Sequence, residues 1–315
     1  MLARQFLIRC IFGIGTLLLV SFLVFFATNI LPGDAARAIL GRSATPEAVA
    51  ALRGQMGLDR PLSIQYVSWL WSFLNGDLGT SLVSKSAVWD SLRGRLGNSL
   101  LLLAATSAVA IPLSFLIGIL MAVRPGAAFD TIMGGVLIGA AGIPEFIFAI
   151  VLVVLLSTHV LHLLPPTALI PAGAVIGDHL YVLVLPVLTL TLAILPYLAR
   201  LVRSALIDAL ASEYVVTAQL KGLRPRTVLM RHALPNSLVP FIQGAASTLA
   251  FILGGAVVVE VIFQYPGLGW ALQQAVGQRD VPTVQAIVVI FAAAYIIFNI
   301  LADVLTVLAT PRLRT

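Results

Sequence analysis

Asp208–Pro240, DALASEYVVTAQLKGLRPRTVLMRHALPNSLVP, is the one long polar segment in the second half of an otherwise apolar chain. Between Arg200 and His232 it sets six cations (Arg200, Arg203, Lys221, Arg224, Arg226, Arg231) against two acids, Asp208 and Glu213. A short segment this basic between two hydrophobic runs stays on the cytoplasmic side of a bilayer. Ser204–Leu220 interleaves apolar Leu206, Leu210, Val215 and Leu220 with polar positions, a pattern compatible with helix. Gly222 then supplies the positive φ that closes a helix. Pro225 blocks continuation, and a second short pattern begins near Arg226. The segment reads as two short helices meeting at a glycine turn and offered to the cytoplasm for docking. On charge alone, a plain basic loop that only orients the chain fits equally well.

The composition around this segment sets the class. Of 315 residues, 60% are hydrophobic and 10% charged, and the mean hydropathy is +1.04. Soluble domains are about 25% charged, so this is an integral membrane protein. Its single cysteine, Cys10, excludes an internal disulfide and offers no metal cluster. The net charge of +6 needs no nucleic acid to explain it, because its placement carries the information. Eleven of the 19 Lys/Arg fall in segments assigned to the cytoplasm: Arg4, Arg9, Arg124, the six above, Arg312 and Arg314.

In chain order, a short basic start precedes a charge-free run from Cys10 to Gly33, read as span 10–31. Its length and the lack of a small-x-small site favour a retained span over a cleaved signal. Residues 32–98 are mixed and polar and are placed outside, with a small helix from Thr45 to Met56 capped by Thr45 and started by Pro46. Trp69, Trp71 and Phe73 suit the membrane–water interface. Spans follow at 99–123, 131–164 and 180–198, then the cytoplasmic segment 204–236, and spans at 237–263 and 281–302. Pro144 interrupts the third span, and Pro186 and Pro196 the fourth. The expectation is one all-α membrane domain, 1–315, of six spans with both termini cytoplasmic. No internal repeat is evident.

Several motifs resemble one family. Ala218-x-x-x-Gly222 followed by Leu234-Pro235 resembles the cytoplasmic loop of ABC importer permeases, and Thr217, Ala218, Lys221, Gly222, Leu223, Arg231, His232, Ala233 and Leu234 look like its peptide-importing branch. Val216-Thr217-Ala218 stands where the family has Glu-Ala-Ala, so its first Glu is missing. Pro32-Gly33-Asp34, Gly57-Leu58-Asp59-Arg60-Pro61, Gln65-Tyr66 and Gly76-Asp77-Leu78-Gly79-x-Ser81 resemble the outer segment of dipeptide/oligopeptide permeases. Glu260-x-x-Phe263-x-x-Pro266-Gly267-Leu268-Gly269 and Asp280-x-Pro282 resemble a later signature. The tail has Thr310 where the family has Asp. The resemblance covers nearly the whole chain.

That resemblance implies a type I permease fold in a bacterial cytoplasmic (inner) membrane. It implies a related second permease as heterodimer partner, two cytoplasmic ATPases carrying ATP and Mg, and an extracytoplasmic binding protein. Coupling to the ATPases would fall on Glu213, Thr217, Ala218, Lys221, Gly222, Arg231, Leu234 and Pro235. Contact with the binding protein would fall on Asp34, Asp59, Arg60, Asp77, Gly267 and Asp280; a loop that merely caps the bundle is the other reading of that region. The substrate expectation is short peptides, with nickel, glutathione or another small solute as alternatives in the same branch.

No enzyme chemistry is legible. A phosphate-cradling G-x-x-x-x-G-K-[ST], a C-x-x-C and a G-x-S-x-G are all absent. His159 and His162 lack the Glu of an H-E-x-x-H frame, so no metal or cofactor is expected on this chain. A carboxylate at bilayer depth costs about 2.5–3.5 kcal/mol and usually faces a cavity or partner. Pro144, Glu145 and Glu260 are the pathway or gating candidates, with a helix–helix contact equally open for Glu145 and an interfacial position the plainer reading of Glu260. An ATP-independent carrier or channel is the competing function, distinguished by dependence on an ion gradient rather than ATP.

Overall fold

An apolar chain has no water to satisfy its backbone in a bilayer, so it closes its hydrogen bonds within helices. The computed structural model describes residues 2–30, 45–55, 59–169 and 176–309, and these are helical apart from turns and one isolated Thr80–Ala87 bridge. The helices are α1 (Leu2–Ile30), α2 (Pro46–Gln55), α3 (Leu62–Leu74), α4 (Val88–Val123), α5 (Ala128–Ala141), α6 (Glu145–Val153), α7 (Val184–Leu210), α8 (Glu213–Leu220), α9 (Pro225–Val228), α10 (Leu234–Ile262), α11 (Leu268–Gly277) and α12 (Val281–Ala309). Five stretches are long and apolar enough to cross a membrane: Leu7–Asn29, Val88–Val123, Leu180–Leu210, Pro225–Ile262 and Val281–Thr306. A sixth is broken. Between α5 and the run Glu145–Thr158 the axis turns by 103°.

That break falls at Pro144, inside the run read as span 131–164. Gly142 caps α5, and Pro144, which has no N–H, stands at the N-cap of α6. Boundaries also move. α4 begins eleven residues before the expected start at Ser99, and α7 continues twelve residues past Leu198. The turn before α10 widens into a π-helix at Leu229–Ala233, next to Pro235. A proline there removes one ladder hydrogen bond, and the wider turn absorbs the mismatch. Asp34, Gly57, Leu58 and the tail from Thr310 lie outside the described residues.

The chain packs as two compact units. One comprises Ser99–Pro266 with the last part of α12, from Ile297. At its centre is α7, whose apolar window is 72% buried against 17–35% for the other unbroken spans. Its core joins Leu102, Leu185, Leu190, Ile194, Ile252, Val259 and Phe263. Small residues allow the close crossings: a Cβ on Gly118 would meet the Ala199 carbonyl at 2.7 Å, and one on Gly244 would overlap Leu201. Glu260 is only 1% exposed and accepts a 2.6 Å hydrogen bond from Ser99. Burial first, then the neighbouring Glu260 carboxylate, pushes the phenol of Tyr265 well above its ordinary range, so it stays neutral.

The other unit comprises Ala3–Asn98 and Gly267–Ile296. Phe22, Phe25 and Phe26 of α1 stack with Tyr66 and Trp69 of α3, and the Tyr66 hydroxyl bonds Ser21 Oγ at 2.9 Å. Val88, Leu92, Leu268, Ala271, Ala286 and Ile287 form a second apolar cluster. Asp280 organises the turn beside it, accepting from Ser81 Oγ (2.5 Å), the Leu82 N–H (3.0 Å) and Thr283 Oγ1 (2.8 Å).

Candidate coupling site

The site is built where α7 runs out. Ser212 has extended backbone at the N-cap of α8, and Glu213 places a negative charge in its first turn. Val215 and Ala218, three residues apart, share one face and are buried against Ala122, Leu206, Val228 and Ala233. This short helix is therefore seated on its own subunit along one stripe. An eight-residue helix gains its order from such packing rather than from propensity.

Its end is set by Gly222 at φ +80°. The Gly222 N–H donates to the Gln219 carbonyl at 2.9 Å and the Leu223 N–H to the Ala218 carbonyl at 3.3 Å, a Schellman pair. A Cβ at Gly222 would meet nothing within 4 Å, so the requirement for glycine is the backbone angle and not space. Arg224 then takes extended backbone, and Pro225 opens α9 at its first position.

The opposite stripe faces out. Tyr214, Val216, Leu223 and Met230 are between 40% and 56% exposed, and Leu220 reaches 83%. Around them Lys221, Arg224, Arg226 and Arg231 are exposed and have no acidic partner among the described residues. A rigid turn thus presents apolar side chains ringed by four open cations.

The residues expected for coupling divide between these faces. Glu213, Thr217, Lys221, Gly222, Arg231 and Pro235 are exposed. Ala218 is 6% exposed, and its small size serves the packing of the short helix within the chain. Leu234 joins the same inner cluster. Thr217 Oγ1 donates to the Glu213 carbonyl on its own helix.

Away from the turn, Pro144 and Glu145 sit at the 103° break, with Glu145 half-buried. A Cβ on Gly255 of α10 would lie 3.9 Å from its Oε1. Glu260, the other carboxylate considered for the pathway, is 1% exposed and accepts from Ser99 within this chain. Of the outer residues, Asp59 and Arg60 are exposed, and Asp77 Oδ1 accepts from the Gly79 N–H within its own turn. Gly267 and Asp280 are buried, which removes both from any exposed contact surface.

Two features escaped the sequence reading. Asp130, 5% exposed, takes Arg203 bidentately (Nε to Oδ1 2.5 Å, Nη2 to Oδ2 2.7 Å) and also accepts from the Gly126 N–H at 2.8 Å. Arg203 is thus not one of the open cations of the cytoplasmic segment. The signal was a lone acid starting an apolar helix, which pairs with an arginine ending another. The second feature is a cavity of about 760 Å³ between α7 and α10. Its lining residues lie far apart in sequence, so only packing shows it.

Described residues that are helical, with five unbroken apolar stretches and a sixth that is bent, make this a multi-pass membrane protein. The chain belongs to the family described as binding-protein-dependent transport system inner membrane component, whose model matches residues 114–315; the N-terminal model of such components matches 1–103. It is an ABC importer permease, a multi-pass inner-membrane protein and a transport component rather than an enzyme. It is 35% identical over 311 residues to a glutathione transport system permease protein of Pectobacterium atrosepticum, covering 99% of both chains. It is 34% identical over 315 residues to a putative peptide transport system permease protein of Brucella melitensis, covering 100% of this chain and 99% of the relative.

Proposed function

We propose that this chain forms half of the pathway of an ATP-driven importer of short peptides. Relatives named for peptide transport and for glutathione, itself a tripeptide, support that substrate class. In this reading a related permease completes the pathway and two cytoplasmic ATPases bind ATP and Mg. An extracytoplasmic binding protein delivers the solute, and both termini are cytoplasmic.

The observation that carries the reading is the Gly222 turn. Its outer stripe of Tyr214, Val216, Leu220 and Leu223, ringed by open cations, suits an apolar groove with an acidic rim on the ATPase. Its inner stripe is fixed to the ends of α4 and α7. A helix held this way moves as a body with the spans, and packed interfaces switch between discrete arrangements rather than deforming smoothly.

The test is gentle extraction of the tagged chain from its native membrane and mass spectrometry of what accompanies it. An ATPase, a sister permease and a binding protein loaded with peptide are the expected companions. A chain that emerges alone, with uptake driven by an ion gradient, would return the function to an ATP-independent carrier.

A further inference from the structure

We propose that the cavity between α7 and α10 receives a carboxylate of the passing solute, with Arg200 as its cationic partner; this rests on the importer reading above. Two arginines one turn apart on α7 have opposite surroundings. Arg203 also lines the cavity but is neutralised by Asp130 through two hydrogen bonds. Arg200 is exposed, lines the cavity, and has no carboxylate partner among the described residues.

The position is not one for acyl chains. Arg200 lies 20 residues beyond Leu180, where the α7 span opens, which is about 30 Å along a helix and so close to the far edge of the hydrocarbon. A charge there faces a partner or a water-filled cavity. The walls set a few polar groups among apolar ones such as Ala193, Ile194 and Leu201, as small-molecule sites do. Tyr197 and Ser204 flank Arg200 by three and four residues on α7, and both are exposed. Ser247 and Phe251 face it from α10, the first with a free hydroxyl and the second with a ring 62% exposed. Thr248 also lines the cavity, but its hydroxyl is used on the Gly244 carbonyl.

A volume of about 760 Å³ falls in the usual range for small-molecule sites. A guanidinium fork matches the two oxygens of a carboxylate, and hydroxyls beside it complete the anion's hydrogen bonds. Arg200 is thereby the residue that favours solutes with a free carboxylate, while Phe251 offers a face to an apolar side chain.

The experiment uses the complex with its partner subunits in vesicles, with Cys10→Ser and Ser247→Cys giving one thiol in the cavity. Its reaction rates with a sulfonate-bearing and a trimethylammonium-bearing methanethiosulfonate are compared. An open Arg200 raises the anionic-to-cationic rate ratio, and Arg200→Gln lowers it by about tenfold or more, while Arg200→Lys preserves it. An unchanged ratio in Arg200→Gln overturns the proposal, since the charge is then already neutralised in the complex.

In the same vesicles without the cysteine, Arg200→Gln is expected to cut uptake of trialanine at least tenfold. ATPase stimulation by the binding protein is expected to stay within twofold. Equal loss of both, or no loss of uptake, overturns the solute assignment. Disappearance of the Arg200 effect when anionic phospholipid is replaced by zwitterionic phosphatidylcholine assigns the anion to an anionic lipid headgroup and overturns it too. If the unaltered complex moves no peptide while the thiol ratio still responds, the peptide reading fails and the anion site stands.

Discussion

Two turns of this molecule are equally polar in sequence and opposite in structure. At the turn before α12, Asp280 is 5% exposed and three donors from Ser81, Leu82 and Thr283 converge on it. At the turn after α8, Lys221, Arg224, Arg226 and Arg231 surround Gly222 with no acidic partner among the described residues. The first turn uses its polarity to close the fold. The second has its backbone closed by the Schellman pair and its inner stripe by apolar packing, so its charges are not used by the fold. Polar residues in a membrane chain therefore do not mark function by being polar. They mark it when the fold is complete without them.

The contrast predicts that stability and coupling rank substitutions in opposite orders. The largest loss of stability is expected for Asp280→Ala, which orphans three buried donors and costs about 3 kcal/mol; thermal unfolding of the detergent-extracted chain measures it. A shift under 1 kcal/mol would mean that the Asp280 turn is held by its apolar cluster instead. Asp130→Ala comes next at about 2–3 kcal/mol, less than a fully buried pair because Arg203 is one third exposed. In a double-mutant cycle with Arg203→Ala, a coupling energy near zero would deny the pair a structural role.

Gly222→Val is expected to cost only about 1–2 kcal/mol, from forcing a β-branched residue to φ +80°. Yet it should abolish binding-protein-stimulated ATP hydrolysis with the chain still in the membrane. Normal stimulation in that variant would sink the coupling role. Lys221→Glu with Arg226→Glu should change stability by less than about 0.5 kcal/mol. It should weaken ATPase association measurably, with the difference shrinking as salt rises. An association that ignores both charge and salt would make the turn a mere orienting loop. For Glu145→Gln, altered uptake with normal expression would join the 103° break to the pathway; unchanged uptake would make the break a packing feature.

Much of the site was legible before folding. Gly222 announced a positive φ because it ends a helical pattern just before Arg224-Pro225, and the structure has it at +80°. Ala218 was legible as a small residue needed for close contact, but not as one turned inward, because a surface stripe and a packed stripe on an eight-residue helix look alike in sequence. The surroundings of Glu260 and Asp280 were hidden for the same reason: the donors that occupy them, Ser99 and Ser81, lie 161 and 199 positions away in the chain. Arg203 read as one more cytoplasmic cation until Asp130, 73 positions away, was found against it.

The amino-acid order settled what depends on local chemistry: an apolar chain that must be helical, the number of candidate spans, the basic turn, and the glycine that ends it. Each follows from the length of an apolar run, the sign of a short loop or the angles one residue permits. Tertiary structure decided which charges are consumed and which stay open, that the Pro144 break bends by 103°, and that of the two arginines lining one cavity Arg203 is taken by Asp130 while Arg200 is left open. Those outcomes depend on which distant helices come to lie together. A guanidinium is a structural tie or a free binding group according to what stands opposite it, and that is set by the packing of α5, α7 and α10 rather than by its neighbours in the chain.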